Sequence, residues 1–351
     1  MNCSSPLCRV EMLHVPWNPA DVNTVQGRYA SPYGDGDNYS PSNLSRYFEN
    51  HNVAGSEGWG RVTDVAGNTA ADDDNHRIRE GDLVTVGLPG MGTLRSSLWV
   101  PSHALLPVPD ELLDKMGPAG CSLFQLGGTA LRMLTDFMSL EPGDTVIQNA
   151  GNSGVGLMVS QLAAERNVST ISMVRRGSKS PQEFDELKDY LERNGKAAMV
   201  VAEEDLVDKE AIREFQQKLR DLSVTNNLPK LALNAVGGSS AQLMLKMLNS
   251  RGTMVTYGGM SGKGIEVATP HLIFKDLKIA GYWHSRWMVN HNVNEKEKMI
   301  HTLVQAALDD KVDCPPLKVF PLEDVKAALK WQGEQSNSVI RSKLVFDCRG
   351  S

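Results

Sequence analysis

Apolar and polar positions divide the 351-residue chain into two textures. Up to about residue 121, short β-like runs (Val10–Val15, Gly60–Val65, Leu83–Val86 and Leu98–Val100) are broken by Pro, Gly and polar turns, the pattern of a small β-rich domain. From about residue 122, apolar strands alternate with helical stretches. Thr145–Gln148 leads into a helix through Arg166, Ser169–Val174 into Glu183–Arg193, and Ala198–Val201 into Lys209–Leu222. Leu231–Val236 is followed by a helix to Leu248, and Thr253–Tyr257 and Leu277–Trp283 complete the series. This spacing predicts βαβ units and therefore an α/β fold with a doubly wound parallel sheet. After the helical Glu295–Leu308, the tail reads strand (Lys318–Phe320), helix (Leu322–Trp331) and strand (Lys343–Phe346), and its last strand is expected to return to the first domain. The expected divisions are thus 1–121, 122–310 and 311–351.

Two polar stretches interrupt the first domain. Residues 33–51 form a loop long enough to suggest a functional role, whereas residues 70–82 read as a solvated hairpin turn. The net charge of −6 argues against nucleic acid as a partner, because phosphate binding needs a basic surface. Cysteines at 3, 8, 121, 314 and 348 contain no C-x-x-C pair and no His at ligand spacing, so they read as free thiols with no metal site. No apolar run approaches the 18 residues of a membrane span. The opening MNCSSPLCRVEML reads as neither a signal peptide nor a transit peptide.

The strongest chemical signal is DTVIQNAGNSGVGLMVSQLAAER, residues 144–166. An apolar strand runs into Ala150-Gly151-Asn152-Ser153-Gly154-Val155-Gly156 and then into a helix, a glycine-rich turn suited to a dinucleotide pyrophosphate. The next strand ends in Arg175-Arg176, with Lys179 nearby and no acid before Glu183. Cations at that position suit the 2′-phosphate of NADPH, whereas NADH calls for an acid on the ribose. Tyr257-Gly258-Gly259-Met260 ends a further strand, where a Gly pair allows either close nicotinamide approach or a plain turn. Tyr282-Trp283-His284 is compatible with either core packing or a cofactor contact.

Several blocks carry a family resemblance: NPADVNTVQGRY (18–29), QNAGNSGVG (148–156), LALNAVGG (231–238), RGTMVTYGGM (251–260) and LIFKDLKIAGYW (272–283). Over most of its length the chain resembles the mitochondrial trans-2-enoyl-CoA reductase family. That family lies in the zinc-independent branch of the medium-chain dehydrogenase/reductase superfamily. The resemblance implies a GroES-like β-rich catalytic domain holding both chain ends and a Rossmann cofactor domain. It implies NADPH-dependent reduction of enoyl thioesters on coenzyme A or acyl-carrier protein, by a homodimer in mitochondrial fatty acid synthesis. Tyr29, in the family's Q-G-x-Y segment, takes the catalytic role: a hydrogen bond to the enolate oxygen or delivery of a proton. The implied NADPH contacts are Asn152, Ser153, Gly154, Val155, Arg175, Arg176, Tyr257, Gly258, Gly259, Met260, Tyr282, Trp283, His284 and Lys343.

Zinc-dependent relatives place Cys and Gly-His-Glu ligands where this chain has Asn18-Pro19-Ala20-Asp21 and Gly55-Ser56-Glu57, so no zinc is expected. The chain further departs from the family in three places. It starts where the family's first strands have already run, about fifty residues in. The stretch after Tyr29 is longer than the family's, and Leu126 replaces an Asn that contacts cofactor in relatives. Two other readings are a zinc-free quinone oxidoreductase, which has no need of Tyr29, and an inactive NADPH-binding protein.

Overall fold

Residues 5–28, 53–66, 78–224, 226–335 and 338–350 are described by a computed structural model. Tyr29, the 33–51 loop and most of the 70–82 turn lie outside the described residues. The opening strands are β1 (Leu7–Pro16), β2 (Trp59–Ala66), β3 (Leu83–Val86), β4 (Ser97–Pro101) and β5 (Leu105–Pro107). Next come β6 (Thr145–Gln148), β7 (Ser169–Val174), β8 (Met199–Ala202), β9 (Leu231–Asn234), β10 (Thr253–Thr256) and β11 (Lys278–Gly281). The closing strands are β12 (Leu317–Pro321) and β13 (Lys343–Asp347).

The helices are α1 (Pro19–Val25), α2 (Asp110–Met116), α3 (Leu123–Thr135), α4 (Gly154–Ala164), α5 (Pro181–Arg193) and α6 (Lys209–Leu222). They continue with α7 (Gly238–Met247), α8 (Thr269–Ile273), α9 (His284–Asn290), α10 (Val293–Leu308) and α11 (Val325–Glu334).

One sheet runs β12-β13-β1-β2-β3-β5, with β4 also on β1. The last strand closes on the first: β13 is antiparallel to β1, with His14 opposite Asp347 and Val15 opposite Phe346. Along β1 buried and exposed side chains alternate from Cys8 to Met12, since one face packs on the core and the other meets solvent. The core here is Val10, Met12, Val84, Leu98, Val100 and Phe346.

The second sheet runs β11-β10-β9-β6-β7-β8 and all its pairings are parallel. Its inner strands are covered on both faces, which is why β6 and β9 are buried throughout instead of alternating. The outer helices are amphipathic: α6 buries Phe215 and Leu219, one turn apart, beneath an otherwise charged surface. By contrast α4 is buried along most of its length, lying between the sheet and α3. The strand order reverses between β6 and β9, and ligands of doubly wound sheets bind outside the carboxyl ends of the strands at such a switch point.

The edge strand is shorter than the sequence suggests. β11 ends at Gly281, and the chain turns into α9 at His284, so Tyr282, Trp283 and His284 leave the sheet at its rim. Helices α1, α3 and α9, which apolar periodicity does not announce, carry much of the site.

Candidate active site

At the switch point the turn after β6 is held from below. Gln148 Nε2 donates to the Gly156 carbonyl at 2.9 Å, Ser160 Oγ at 3.0 Å and Ser172 Oγ at 3.1 Å. Asn149, fully buried, donates to Asn234 Oδ1 at 2.8 Å and Ser240 Oγ at 2.9 Å while its own Oδ1 accepts from Ala235 N at 2.7 Å. These amides weld the ends of β6 and β9 together. Ala150 then adopts φ 51°, a left-handed turn, and Ser153 caps α4 by accepting from Gly156 N at 3.1 Å. The result is a helix N-terminus whose N–H groups and dipole could hold an anion. Asn152, Ser153, Gly154 and Val155 all lie on this turn. Sequence reading overlooked the Asn149–Asn234–Ser240 seam, although two Asn ending parallel strands was an available signal.

At the end of β7, Arg175 is exposed and has no ion-pair partner among the described residues. Arg176 is differently placed. Its Nη2 pairs with both Asp205 oxygens at 2.7 and 2.9 Å, and its guanidinium lies over the Phe184 ring at 5.0 Å. Glu204 accepts from the Arg176 and Gly177 amides, at 2.9 and 3.1 Å, fixing this corner's backbone.

Tyr257 lies where β10 ends, with Ser153 in its vicinity. Its Oη is buried without a well-formed hydrogen bond, and burial pushes its phenol well above the ordinary range. An orphaned hydroxyl beside the glycine-rich turn fits a polar ligand in the crevice. Gly258 follows it, and beyond Gly259 the side chain of Met260 is exposed.

Tyr282 Oη lies 2.9 Å from His284 Nδ1. Burial raises the Tyr282 phenol, so the hydroxyl in this pair keeps its proton. Burial, and then Arg132, holds the His284 imidazole down to about 4, so it is neutral near pH 7. Its ring is parallel to Trp287, which stacks in turn on His291 at 4.1 Å. Close approach of His284 to α3 requires Gly128: a Cβ there would stand 2.7 Å from His284 Cε1. Trp283 lies beneath the Arg286 guanidinium, 5.6 Å from its ring centre.

Lys343, on β13, belongs to a second cluster. Its ammonium donates to Asn18 Oδ1. That bond orients the Asn18 amide, whose Nδ2 then donates to Glu57 Oε1 at 2.8 Å. Glu57 Oε2 accepts from the Gln125 backbone N at 3.1 Å. Asp21 accepts from Asn18 N at 2.8 Å and Ser56 Oγ at 2.9 Å, which fixes the first turn of α1. Asn18, Asp21 and Glu57 are all buried. Burial holds the Lys343 ammonium below the usual lysine range against the pull of Glu57 and Asp21, and burial raises Glu57 to about 7 despite Lys343. A cleft passes this cluster, lined by Glu57, Phe124 and Gln125 together with His284, Ser285 and Met288.

Of the sequence-derived residues, the structure brings Ser153 near Tyr257 and Tyr282 onto His284, whereas Lys343 joins Asn18 and Glu57. Tyr29 follows Arg28, whose N–H is tied back to the Asn23 carbonyl at 2.8 Å, and lies outside the described residues.

A β-rich unit closed by the chain's last strand, beside a six-stranded parallel unit with a glycine-turn site, is the medium-chain dehydrogenase/reductase fold. A family model described as zinc-binding dehydrogenase matches residues 154–304. The chain is 36% identical over 323 residues to the human mitochondrial enoyl-[acyl-carrier-protein] reductase, covering 92% of this chain and 76% of that protein. Its fold superimposes with a TM-score of 0.80 on the Etr1p/NADP/crotonyl-CoA complex, at 24% identity and covering 99% and 92% of the two chains. The same figures hold for the Etr1p/Etr2p heterodimer of mitochondrial 2-enoyl thioester reductase from Candida tropicalis. The chain belongs to the mitochondrial enoyl-[acyl-carrier-protein] reductase family.

Zinc does not fit this site. Among the described residues no three His, Cys, Asp or Glu side chains converge on a point that could hold a metal ion. Asn18 and Ser56 are weak ligands, and Lys343 brings a positive charge to the same cluster.

Proposed function

We propose that this chain is an NADPH-dependent reductase of trans-2-enoyl thioesters, carried on coenzyme A or acyl-carrier protein, that acts in mitochondrial fatty acid synthesis. The observation that carries the reading is family membership across 92% of the chain, supported by a capped glycine turn at the switch point.

Bound NADPH supplies hydride for C3 of the enoyl group. The α4 N-terminus, from Asn152 to Val155, takes the pyrophosphate. Arg175, with Arg176 beside it, faces the 2′-phosphate, and Arg176 reaches it only by sharing its guanidinium with Asp205. The Tyr257 hydroxyl finds its missing partner on the cofactor, and the rim residues Gly258 to Met260 and Tyr282 to His284 border the nicotinamide. Tyr29 donates a hydrogen bond to the thioester oxygen, where negative charge grows as C3 is reduced. In this reading residues 1–121 and 311–351 form the catalytic unit and 122–310 the cofactor unit.

A second copy of this chain is the proposed partner. β11 is an edge strand whose Ile279 is 40% exposed, and beside it α8 and its C-cap leave Leu272, Ile273 and Phe274 uncovered at 48%, 65% and 80%. Unpaired edges with apolar neighbours favour strand addition. Light scattering on a Phe274→Glu protein reads this out: the wild type runs as a dimer and the variant as a monomer, and an unchanged dimer removes this face.

NADPH oxidation with trans-2-enoyl-CoAs of several lengths tests the activity. Turnover with quinones alone would favour the quinone oxidoreductase reading, and NADPH binding without turnover would favour an inactive binding protein.

A further inference from the structure

The Lys343 cluster orients one more side chain than its charged groups need. The ammonium takes Asn18 Oδ1, so both hydrogens of Asn18 Nδ2 are turned away from it. One goes to Glu57 Oε1 at 2.8 Å, and the other faces the Gln125 amide at 3.5 Å. A donor on that side calls for the carbonyl end of the amide. Gln125 Oε1 therefore turns toward Asn18 and toward Ser56 Oγ, 3.4 Å away, which shares its hydrogen between this oxygen and Asp21. The Gln125 backbone is pinned as well, through its N–H on Glu57 Oε2. The opposite end of the amide, Nε2, keeps two hydrogens and has no partner among the described residues. Gln125 is half-buried, and it lines the cleft with His284 and Ser285.

A donor whose orientation is set before the ligand arrives is worth most where negative charge develops, because nothing has to reorganise as the charge grows. The remaining wall narrows what this donor meets. Val86, Leu88, Phe124, Met288 and Ile300 line the same cleft, so a ligand that fits joins a carbonyl oxygen to a hydrocarbon chain. An acyl thioester has that form.

We propose that Gln125 Nε2 donates a second hydrogen bond to the thioester oxygen of the substrate, beside the one from Tyr29, and is a catalytic residue of the reduction. The inference rests on the reductase reading above. As hydride adds to C3, negative charge moves onto that oxygen and the Gln125 hydrogen bond strengthens, with no bond to Gln125 made or broken. Lys343 and Asn18 act as positioning residues. Loss of either frees the amide to turn Oε1 into the cleft, where it would repel the enolate.

Two measurements test this on the full chain. The complex with NADP+ and a trans-2-enoyl-CoA labelled with 13C at its carbonyl cannot turn over, because it holds no hydride to transfer. Infrared difference spectra of that complex read the hydrogen bonds on the thioester oxygen. The carbonyl band should lie at lower frequency in the wild type than in Gln125→Met, which nearly keeps the side-chain length and removes the donor. In turnover, Gln125→Met should lose about a hundredfold in kcat, with NADPH affinity and melting temperature close to wild type. Gln125→Asn, with its amide one carbon shorter, should fall between the two in both readouts. A folded Gln125→Met protein with an unmoved band, or with undiminished kcat, overturns the proposal. If Gln125→Met does not fold, Gln125→Asn decides alone, and a wild-type band with wild-type kcat overturns it. Absence of enoyl-thioester turnover in the wild type would instead overturn the reductase reading, with the carbonyl band of the bound thioester still deciding the role of Gln125.

Discussion

The backbone N–H of Gln125 donates to Glu57 Oε2 at 3.1 Å and so ties the first turn of α3 to the segment that leads into β2. The next residue faces the other way. Leu126 packs on the start of α4, where a Cβ on Gly154 would meet Leu126 Cδ1 at 2.9 Å. Two turns of one helix thus touch the buried Lys343 cluster, the nucleotide turn and, through Gly128, His284. Leu126 offers no polar atom to a cofactor; it supplies apolar packing that holds the turn in place.

The Gly128 contact gives a stability prediction. Gly128→Ala places a methyl against His284 Cε1, and overpacking of this kind costs about 1–3 kcal/mol. Chemical denaturation should show that loss, and a second change, His284→Ala, should recover part of it. Additive losses in the double variant would mean the two residues do not meet.

Glu57 and His284 predict opposing pH effects. Glu57 is raised in the fold from 4.5 to about 7, so its contribution is full below 4.5 and is lost as pH rises through about 7. His284 is lowered from 6.5 to about 4, so its contribution is full above 6.5 and is lost as pH falls through about 4. The two slopes oppose each other between 4.5 and 6.5. In thermal melts across that window, Glu57→Gln should make stability climb more steeply with pH, and His284→Gln should make it decline. Parallel curves for all three proteins would contradict these assignments.

Cofactor choice can be read from the end of β7. Arg175→Ala with Arg176→Ala should weaken NADPH far more than NADH, since each charge-assisted hydrogen bond lost is worth about 1.5–3 kcal/mol. Arg176 is already paired with Asp205, so Arg175→Ala alone should account for the larger share. Equal weakening of both cofactors in fluorescence titrations would point to a general effect on folding.

Dialysis against a strong chelator should change neither activity nor melting temperature, because Lys343 and Asn18 stand among the acids of this cluster. Activity lost to the chelator and restored by zinc would contradict that.

How much was legible in sequence depended on how local each signal is. The parallel strands were, because β6, β7 and β9 each carry an apolar centre, followed by a turn and a helix, and are buried almost throughout. The α4 turn was legible because Gly, Ser and the helix start lie within a few residues. The Asn18–Glu57–Lys343 cluster was not, since its members are 39 and 325 positions apart and meet only when β13 closes on β1. A local trace existed: Asn18-Pro19-x-Asp21 has the form of a capped helix start with Pro in its first turn, and it marks α1. Tyr29 came from family resemblance alone, as a lone Tyr carries no spacing signal.

Replacing that residue tests its role. Tyr29→Phe keeps the ring and removes the hydroxyl, and loss of one oxyanion donor typically costs about a hundred- to a thousand-fold in kcat. NADPH affinity and thermal stability should stay close to wild type. A stable Tyr29→Phe protein with undiminished turnover would remove Tyr29 from the chemistry.

The most direct test of the account is NADPH oxidation by the purified chain with trans-2-enoyl-CoA, followed by absorbance and by mass analysis of the product. The account predicts one saturated acyl-CoA formed per NADPH oxidised, with NADH a much poorer donor. A folded protein that binds NADPH yet leaves every enoyl thioester unreduced would contradict it.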